Sequence, residues 1–210
     1  MADLIDDVAR YYSGKLAEHG VSPRGVDWNG EKSQILRFHQ LCRVIEGAGH
    51  FSVNDLGCGY GALLDYMDTR YSDFKYHGFD IAGDMLDAAR KGHPVHPHAR
   101  FVQSAEPDLA ADYSVASGIF NVRLQHGDAE WLAYIEATLD SLHRASRKGF
   151  SFNCLTRYSD EDRKRKDLYY ADPCELFDLC KRKYARNVAL YHDYGLYEFT
   201  IVVRKTSAIS

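Results

Sequence analysis

The sequence predicts an α/β domain, in which a mostly parallel sheet carries helices on both faces and an antiparallel strand near its end. Three observations lead to this prediction. Strand-like and helix-like segments alternate from residue 51 onward, which is typical of a parallel sheet covered by helices. One strand runs into Gly57, Gly59 and Gly61 and then into a helix. Only residues 192–196 separate the last two strand-like segments, and so short a connection requires an antiparallel pair.

The N-terminal part of the chain is predicted to be helical. Apolar side chains recur at helical spacing over residues 3–19 and again over residues 31–47. Residues 20–30 contain Pro23 and glycines and interrupt this pattern. We therefore expect one domain over residues 1–210, with a helical cap at 1–48, a core at 49–205 and an insertion at 156–172 within the core.

The alternating segments of the core follow in chain order. Apolar runs of strand length predict strands over residues 51–56, 75–80, 100–103, 113–117, 149–155, 187–191 and 197–204. Helical spacing predicts helices over residues 60–70, 83–91, 129–145 and 173–183. The last helix has Pro173 at its first position, where a proline is well tolerated.

Composition narrows the class of function. The formal net charge is −4, whereas proteins that bind duplex nucleic acid usually present a basic surface. The five cysteines form no CxxC pair, so we expect free thiols, no metal site and a cytoplasmic location. The first ten residues are acidic where a secretory signal is basic, and no apolar run approaches the roughly 20 residues of a membrane helix. We expect a small-molecule partner, neither nucleic acid nor membrane, and a monomer or homodimer.

The segment from Val53 to Gly61 carries the clearest chemical signal. Glycines are needed where a backbone turns tightly and approaches a ligand, and the following helix offers free N–H groups. Asp80 ends the next strand, nineteen residues after Gly61, where a carboxylate can accept hydrogen bonds from ribose hydroxyls. A plain glycine turn and a helix-capping role for Asp80 are the alternatives.

The segments Asp55-Leu56-Gly57-Cys58-Gly59-Tyr60-Gly61 and Phe79-Asp80 resemble the nucleotide-binding half of class I methyltransferases, which use S-adenosylmethionine (SAM). The resemblance covers about residues 30–205 and implies a Rossmann-like seven-stranded sheet with a reversed final strand. It implies that Gly57, Gly59 and Gly61 hold the methionine part of SAM and that Asp55 supports the amino group. It also implies that Asp80 binds the ribose and that Ile81 flanks the adenine.

Two further stretches match this family less completely. After the third strand, Ser104 and Ala105 would contact the adenine, although the acid that the family often has there is absent or displaced to Glu106. After the fourth strand, the backbone of Gly118 and Ile119 would lie along the methionine tail.

Arg37 is a third candidate for the cofactor. It precedes Gly57 by twenty residues, and ubiquinone-biosynthesis O-methyltransferases have an arginine at a similar spacing that pairs with the SAM carboxylate. Such a pair can be bidentate and charge-assisted. The alternative is a solvated arginine on a helix.

The acceptor side must come from loops at the carboxyl ends of the strands. Residues 121–128, 156–172 and 191–194 qualify, and the basic run 163–166 would favour an anionic acceptor if it binds one. The side chains that we expect to contact the acceptor are Trp28, Arg123, Tyr169, Tyr170 and Tyr194.

Two histidines are candidates for a general base. His192 is the first choice and His126 the second, because histidine titrates near neutral pH. For each of them, a turn histidine without chemistry is the alternative.

The predicted function is SAM-dependent methyl transfer to an oxygen or nitrogen of a small molecule. Residues 26–29, 117–122 and 192–199 are similar to bacterial methyltransferases that we associate with surface-polysaccharide or secondary-metabolite pathways. An intermediate of such a pathway, such as a sugar, is therefore the expected acceptor. The alternatives are a protein that binds SAM or its product S-adenosylhomocysteine (SAH) without catalysis, another use of SAM, and an NAD(P)-dependent oxidoreductase. The fingerprint of the last would need a glycine at the position of Ala62.

Overall fold

The sheet is the framework of the molecule. The computed structural model describes residues 2–47 and 49–205. Within these residues the strands are β1 (Phe51–Leu56), β2 (Phe74–Asp80), β3 (Ala99–Gln103), β4 (Ala111–Ala116), β5 (Ser146–Leu155), β6 (Asn187–Tyr191) and β7 (Glu198–Arg204). Their order across the sheet is β3-β2-β1-β4-β5-β7-β6.

Helices and short 3₁₀ turns connect these strands. In the described part of the chain the helices are α1 (Ala2–His19), α2 (Glu31–Leu41), α3 (Ala62–Asp68), α4 (Gly83–Gly92), α5 (Asp128–Arg144) and α6 (Pro173–Lys183). The 3₁₀ turns are Pro23–Val26, Cys42–Val44 and Glu161–Arg163. None of the described helices is both long enough and apolar enough to cross a membrane.

The pairing of the strands confirms the predicted fold class. The strands β1 to β5 pair in parallel, whereas β7 runs antiparallel to both β5 and β6. The chain fills one half of the sheet with β1, β2 and β3 and then returns to the other side of β1 with β4. Ligands of open α/β sheets bind at this switch point, outside the carboxyl ends of the strands.

Two helix boundaries differ from the prediction. The helix predicted over residues 31–47 ends at Leu41 and continues only as a 3₁₀ turn, and Ile45 is already extended with φ −77° and ψ 118°. The helix predicted from residue 60 begins at Ala62, because Gly61 has a left-handed φ of 90° that a helix interior does not allow. The second difference thus arises at a glycine, where the backbone leaves the helical region.

Two apolar layers bury the faces of the sheet. One contains residues of α1, α5 and α6, among them Leu4, Trp131, Ile135, Leu139 and Cys180. The other contains residues of α2 and α3, among them Phe38, Leu63, Leu64 and Met67. Trp131 is fully buried, and its indole N–H donates to the carbonyl of Phe120 at 2.8 Å. This bond anchors α5 to the segment that follows β4.

The last helix begins at a sequence signal of its own. The side chain of Asp172 accepts from the backbone N–H groups of Cys174 and Glu175, at 2.8 and 3.3 Å, and Pro173 follows as the first helical residue. This side chain satisfies donors that the first turn of a helix leaves free. It sets the point at which the 156–172 insertion ends.

Candidate active site

The glycine loop, residues 57–61, connects β1 to α3 at the switch point. Gly57, Gly59 and Gly61 all have left-handed φ values, of 78°, 54° and 90°. A Cβ at position 57 would lie 2.1 Å from Cγ2 of Ile119, so only glycine fits there. The N–H groups of Gly57 and Cys58 donate to the carbonyl of Phe79 at 2.7 and 3.0 Å. The loop is thereby held against the end of β2.

Asp80 stands at the end of β2 beside this loop. Its Oδ2 accepts from the N–H of Gly59 at 2.8 Å, and its Oδ1 accepts from the N–H of Ala82 at 2.9 Å. Burial raises the pKa of Asp80, and the two backbone donors oppose that shift. A carboxylate offers about four lone-pair sites, so two remain for hydroxyl donors. Asp80 therefore both positions the glycine loop and can bind a diol.

Asp55 lies near the end of β1, the strand that pairs with the one that Asp80 ends. It is 2% exposed, and its Oδ2 accepts from the hydroxyl of Tyr76. Its Oδ1 is buried and has no hydrogen-bond partner among the described residues. Burial raises the pKa of this carboxyl to about 7. An unpartnered carboxylate oxygen is costly, and a cationic ligand group would offset that cost.

These groups face a cavity that we name the glycine-loop cavity. Its walls include eight of the residues predicted to contact the cofactor: Asp55, Gly57, Gly59, Asp80, Ile81, Ser104, Ala105 and Ile119. Helix α1 contributes Leu4, Ile5, Val8 and Tyr12 to the opposite wall. Gly61 does not line the cavity and instead precedes α3, and a Cβ there would lie 2.9 Å from the ring of His93. The N-terminal helix therefore forms part of the wall of this cavity.

Much of the remaining wall of the glycine-loop cavity is apolar. Met85 and Tyr134 line it together with Ser104 and Ala105. Glu106, to which the acid usual in the family could have been displaced, does not line the cavity. Its carboxylate accepts from the hydroxyl of Ser141 at 3.1 Å. Among the described residues that line this cavity, only Asp55 and Asp80 carry carboxylates.

A second cavity adjoins the first. Its walls come from the segments 26–29, 118–122 and 155–170, from Ser33 and Arg37 of α2, and from residues 195–198. The two cavities share three lining residues, Tyr12, Val26 and Trp28. The indole of Trp28 packs so closely on Gly118 that a Cβ there would lie 2.4 Å from it. Trp28 thus stands at the boundary between the two cavities.

Arg37 lies in the wall of the second cavity rather than in the glycine-loop cavity. Its guanidinium donates through Nε and Nη2 to the carboxylate of Glu198, with Nε at 2.8 and 2.9 Å. Both side chains are buried, at 6% and 1% exposure. The indole of Trp28 stacks on the guanidinium at 3.8 Å. Arg37 therefore has a carboxylate of the chain itself as its partner, which its sequence context could not indicate.

Comparisons with known proteins decide the family. Residues 53–149 match a family described as "Methyltransferase domain". A relative from Mycobacterium tuberculosis (strain ATCC 25618 / H37Rv), named "Putative methyltransferase Rv1506c", is 62% identical over 165 residues, which cover 79% of this chain and 99% of that protein. The chain belongs to the methyltransferase family. Membership in this family argues against the oxidoreductase alternative.

Solved structures share the class I fold of this methyltransferase. The DhpI–SAH complex has a TM-score of 0.64 at 14% identity and covers 96% of this chain and 97% of its own. Magnesium protoporphyrin IX methyltransferase (ChlM) from Synechocystis PCC 6803 with bound SAH has a TM-score of 0.58 at 13% identity and covers 86% and 90%. At such identities the likeness concerns the fold alone.

The glycine-loop cavity of the methyltransferase fits SAM. The free Oδ1 of Asp55 matches the amino group of a methionine, and Asp80 has lone pairs left for the two ribose hydroxyls. The backbone of Gly57 and Gly59 lines the cavity beside these carboxylates. Met85 and Tyr134 offer apolar walls to an adenine ring. The donors, acceptors and apolar surface are thus those that SAM requires.

The residues predicted for the acceptor divide into two groups. Trp28 and Tyr170 line the second cavity, whereas Arg123, Tyr169 and Tyr194 do not. Arg123 donates to the carbonyls of Leu168 and His126 at 3.2 and 2.8 Å. Tyr169 packs against the apolar core, and the hydroxyl of Tyr194 is bonded to that of Thr200 at 3.0 Å. In this structure the polar groups of Arg123 and Tyr194 are thus bonded within the chain.

Neither predicted base lies in the wall of either cavity. His192 is exposed in the β6–β7 connection, and its ring packs against those of Tyr158 and Phe199. His126 is held between the carboxylates of Asp7 and Glu130, at 3.2 and 3.1 Å. The β6–β7 connection reaches the second cavity only through residues 195–198. A position in a loop at the right edge of the sheet did not establish that the side chain points inward.

The sequence analysis missed several residues of both cavities. Gln34 and Tyr60 line the glycine-loop cavity, and the Tyr60 hydroxyl donates to Oε1 of Gln34 at 3.3 Å. Tyr12 belongs to the apolar stripe of α1, which reads as an ordinary core-facing stripe. Ser117 precedes Gly118, and its buried hydroxyl has no partner among the described residues. Tyr60 and Ser117 carried a usable signal, because Tyr60 lies within the glycine loop and Ser117 adjoins Gly118, both already assigned to the cofactor.

Proposed function

We propose that the protein transfers the methyl group of SAM to an oxygen or nitrogen of a small molecule bound in the second cavity. The observation that carries this proposal is the adjacency of the two cavities, which share Tyr12, Val26 and Trp28. One cavity fits SAM, and the other is lined by loops at the carboxyl edge of the sheet. A sugar or secondary-metabolite intermediate remains the proposed acceptor.

In this proposal the residues of the chain act by holding and aligning the reactants. SAM supplies an electrophilic methyl group. Asp55 receives the amino group, and Asp80 receives the ribose hydroxyls while it holds the N–H of Gly59. The orientation of two bound reactants can lower a barrier by about 7–11 kcal/mol. Positioning is therefore the main contribution that we assign to the protein.

The proposal includes no general base. His192 and His126 lie outside both cavities, and Glu198, which lies in the second cavity, is held by three donor groups. A base is needed only where the acceptor must lose a proton before it is methylated. An acceptor that reacts as a carboxylate, a phenolate or a free amine does not require one, so in this proposal a sugar acceptor reacts through an amino or carboxylate group and not through a hydroxyl group.

Calorimetric titration of the protein with SAH tests the cofactor site. We expect binding to the wild type and a large loss of affinity in Asp80→Asn with the fold kept, because the amide has only one acceptor oxygen. NADH serves as the control ligand, and Asp178→Asn, an exposed carboxylate on α6, is the matched control variant. Absence of SAH binding to the wild type would refute the cofactor assignment.

A methyl-transfer screen tests the second half of the proposal. The protein is incubated with methyl-labelled SAM and a panel of small molecules, a peptide mixture and nucleic acids. We expect label only in small molecules. Transfer only to macromolecules would refute the small-molecule acceptor. SAH binding without turnover on any member of the panel would favour the non-catalytic alternative.

A further inference from the structure

The second cavity differs in charge from the protein as a whole. The chain has a net charge of −4, yet Arg37, Arg163 and Arg165 line the cavity against only Asp27 and Glu198. These five side chains leave an excess of one positive charge, since three cations oppose two anions. A basic cavity in an acidic protein indicates an electrostatic preference of the ligand.

Arg165 does not supply that preference. Its guanidinium is bonded to Asp167, to Oδ2 of Asp27 at 3.1 Å and to the hydroxyl of Tyr11 at 3.1 Å. The side chain therefore fastens the 156–172 insertion to α1 and to the segment after the first 3₁₀ turn. Its donors are already used within the chain.

Arg37 retains a donor that the chain does not use. Nε and Nη2 are bonded to Glu198, whereas Nη1 is buried and has no hydrogen-bond partner among the described residues. Glu198 in turn accepts from Nδ2 of Asn153 at 2.9 Å, which holds the pair in place. A buried donor of a charged group without a partner is costly, and a ligand oxygen would remove that cost.

Arg163 carries the most weakly compensated charge of the three arginines. Its side chain is 70% exposed, and its ion pair with Asp162, at 3.7 Å, joins two exposed neighbours in the chain. Such a pair is worth little and leaves the guanidinium free to turn toward a ligand. Because Arg37 and Glu198 neutralise each other, Arg163 is the group that can balance an anion in this cavity.

We propose that the acceptor carries an oxyanion, a carboxylate or a phosphate, that binds in the second cavity to Nη1 of Arg37 and to Arg163. The inference rests on the proposed function, since it names the chemical class of that acceptor. An oxyanion accepts charge-assisted hydrogen bonds from guanidinium groups, and planar guanidinium groups match carboxylate and phosphate geometry. The anionic group anchors the acceptor beside Trp28, at the boundary with the glycine-loop cavity.

The test uses the protein saturated with SAH and follows its tryptophan fluorescence. Trp28 stacks on Arg37, whereas Trp131 is fully buried in the core, so a ligand at Arg37 changes mainly the emission of Trp28. Inorganic phosphate and benzoate are titrated separately at constant ionic strength, with sodium chloride as the blank. We expect a saturable change in fluorescence with at least one of these anions. The anion that produces it indicates whether the acceptor carries a phosphate or a carboxylate.

Two variants locate the anion. Arg37→Gln with Glu198→Gln removes both charges of the buried pair together, so no buried charge is left without a partner. Arg163→Gln changes an exposed side chain and keeps the test valid if the double variant does not fold. We expect the apparent Kd of the anion to rise at least about tenfold in the double variant and severalfold in Arg163→Gln. Arg182→Gln, exposed on α6, should leave it unchanged.

The SAH affinity of each variant separates this inference from the proposed function. We expect it to stay at the wild-type value, because Arg37 and Arg163 line only the second cavity. A loss of SAH affinity in the double variant would overturn the inference in favour of Arg37 acting on the cofactor. SAH binding without any saturable response to phosphate or benzoate would overturn the inference and leave the cofactor site intact. No SAH binding to the wild type would overturn both.

Discussion

Replacing Asp55 with asparagine should stabilise the protein without ligand and weaken its cofactor binding. Burial raises the pKa of this carboxyl from 3.8 to about 7. Because the pKa of this carboxyl is higher in the folded than in the unfolded protein, the folded state is more stable at low pH and loses that stability as the pH rises. Each pKa unit is worth about 1.4 kcal/mol, so a shift of about three units costs the folded state about 4 kcal/mol above pH 7.

The pH dependence of the difference between variant and wild type isolates Asp55. The contribution of Asp55 falls by about 1.4 kcal/mol per pH unit between about pH 4 and 7 and is level above that range. The amide that replaces the carboxyl does not titrate, so the stability of Asp55→Asn relative to wild type should grow across the same range. The gain at pH 8 should stay below about 4 kcal/mol, because the new amide N–H₂ group has no acceptor in place of Oδ1.

Urea denaturation from pH 4 to 8 and calorimetry with SAH measure the two effects. The loss of one charge-assisted contact, about 1.5–3 kcal/mol, should weaken SAH binding about 10- to 100-fold at pH 8. The wild-type affinity should rise with pH as Asp55 ionises, and that of the variant should not. Asp178→Asn is the control. A variant that is less stable than wild type at pH 8, or that binds SAH equally well, would refute this reasoning.

Three further variants test individual features of the fold and the site. Gly118→Ala should disturb the second cavity and lower stability by more than about 1 kcal/mol in urea denaturation, because φ is +75° and the new Cβ meets Trp28 at 2.4 Å; an unchanged midpoint would contradict it. Asp172→Ala removes the N-cap of α6 and should cost about 1 kcal/mol, seen as a lower thermal midpoint, whereas Asp172→Asn should retain most of the capping. His192→Ala should leave the methyl-transfer rate unchanged at all pH values, since the ring lies outside both cavities. If the variant lost the fall in rate that the wild type shows at acidic pH, the result would instead indicate that His192 acts as a base.

The local parts of the cofactor site could be predicted from the sequence. The spacing of Gly57, Gly59 and Gly61 indicates a backbone turn between a strand and a helix. The site position of Asp80 could be predicted because it ends the next strand. Both depend on residues that are close in the chain and on parallel strands that end at one edge. The position of the His192 and Arg123 side chains outside both cavities could not be predicted, because the side to which a loop residue points depends on what packs against it.

The sequence by itself determined the alternation of strands and helices and the reversed β7, because hydrophobic periodicity and the length of the connections set these features. The spacing of the glycines and Asp80 located the glycine loop and carried the resemblance to the methyltransferase family. Only the tertiary structure decided which side chains meet. Arg37 and Glu198 are 161 residues apart and pair only because α2 packs beside the start of β7. The second cavity likewise exists only where segments 26–29, 118–122, 155–170 and 195–198 converge. Contacts between distant segments are set by the packing of the whole core, which no local pattern records.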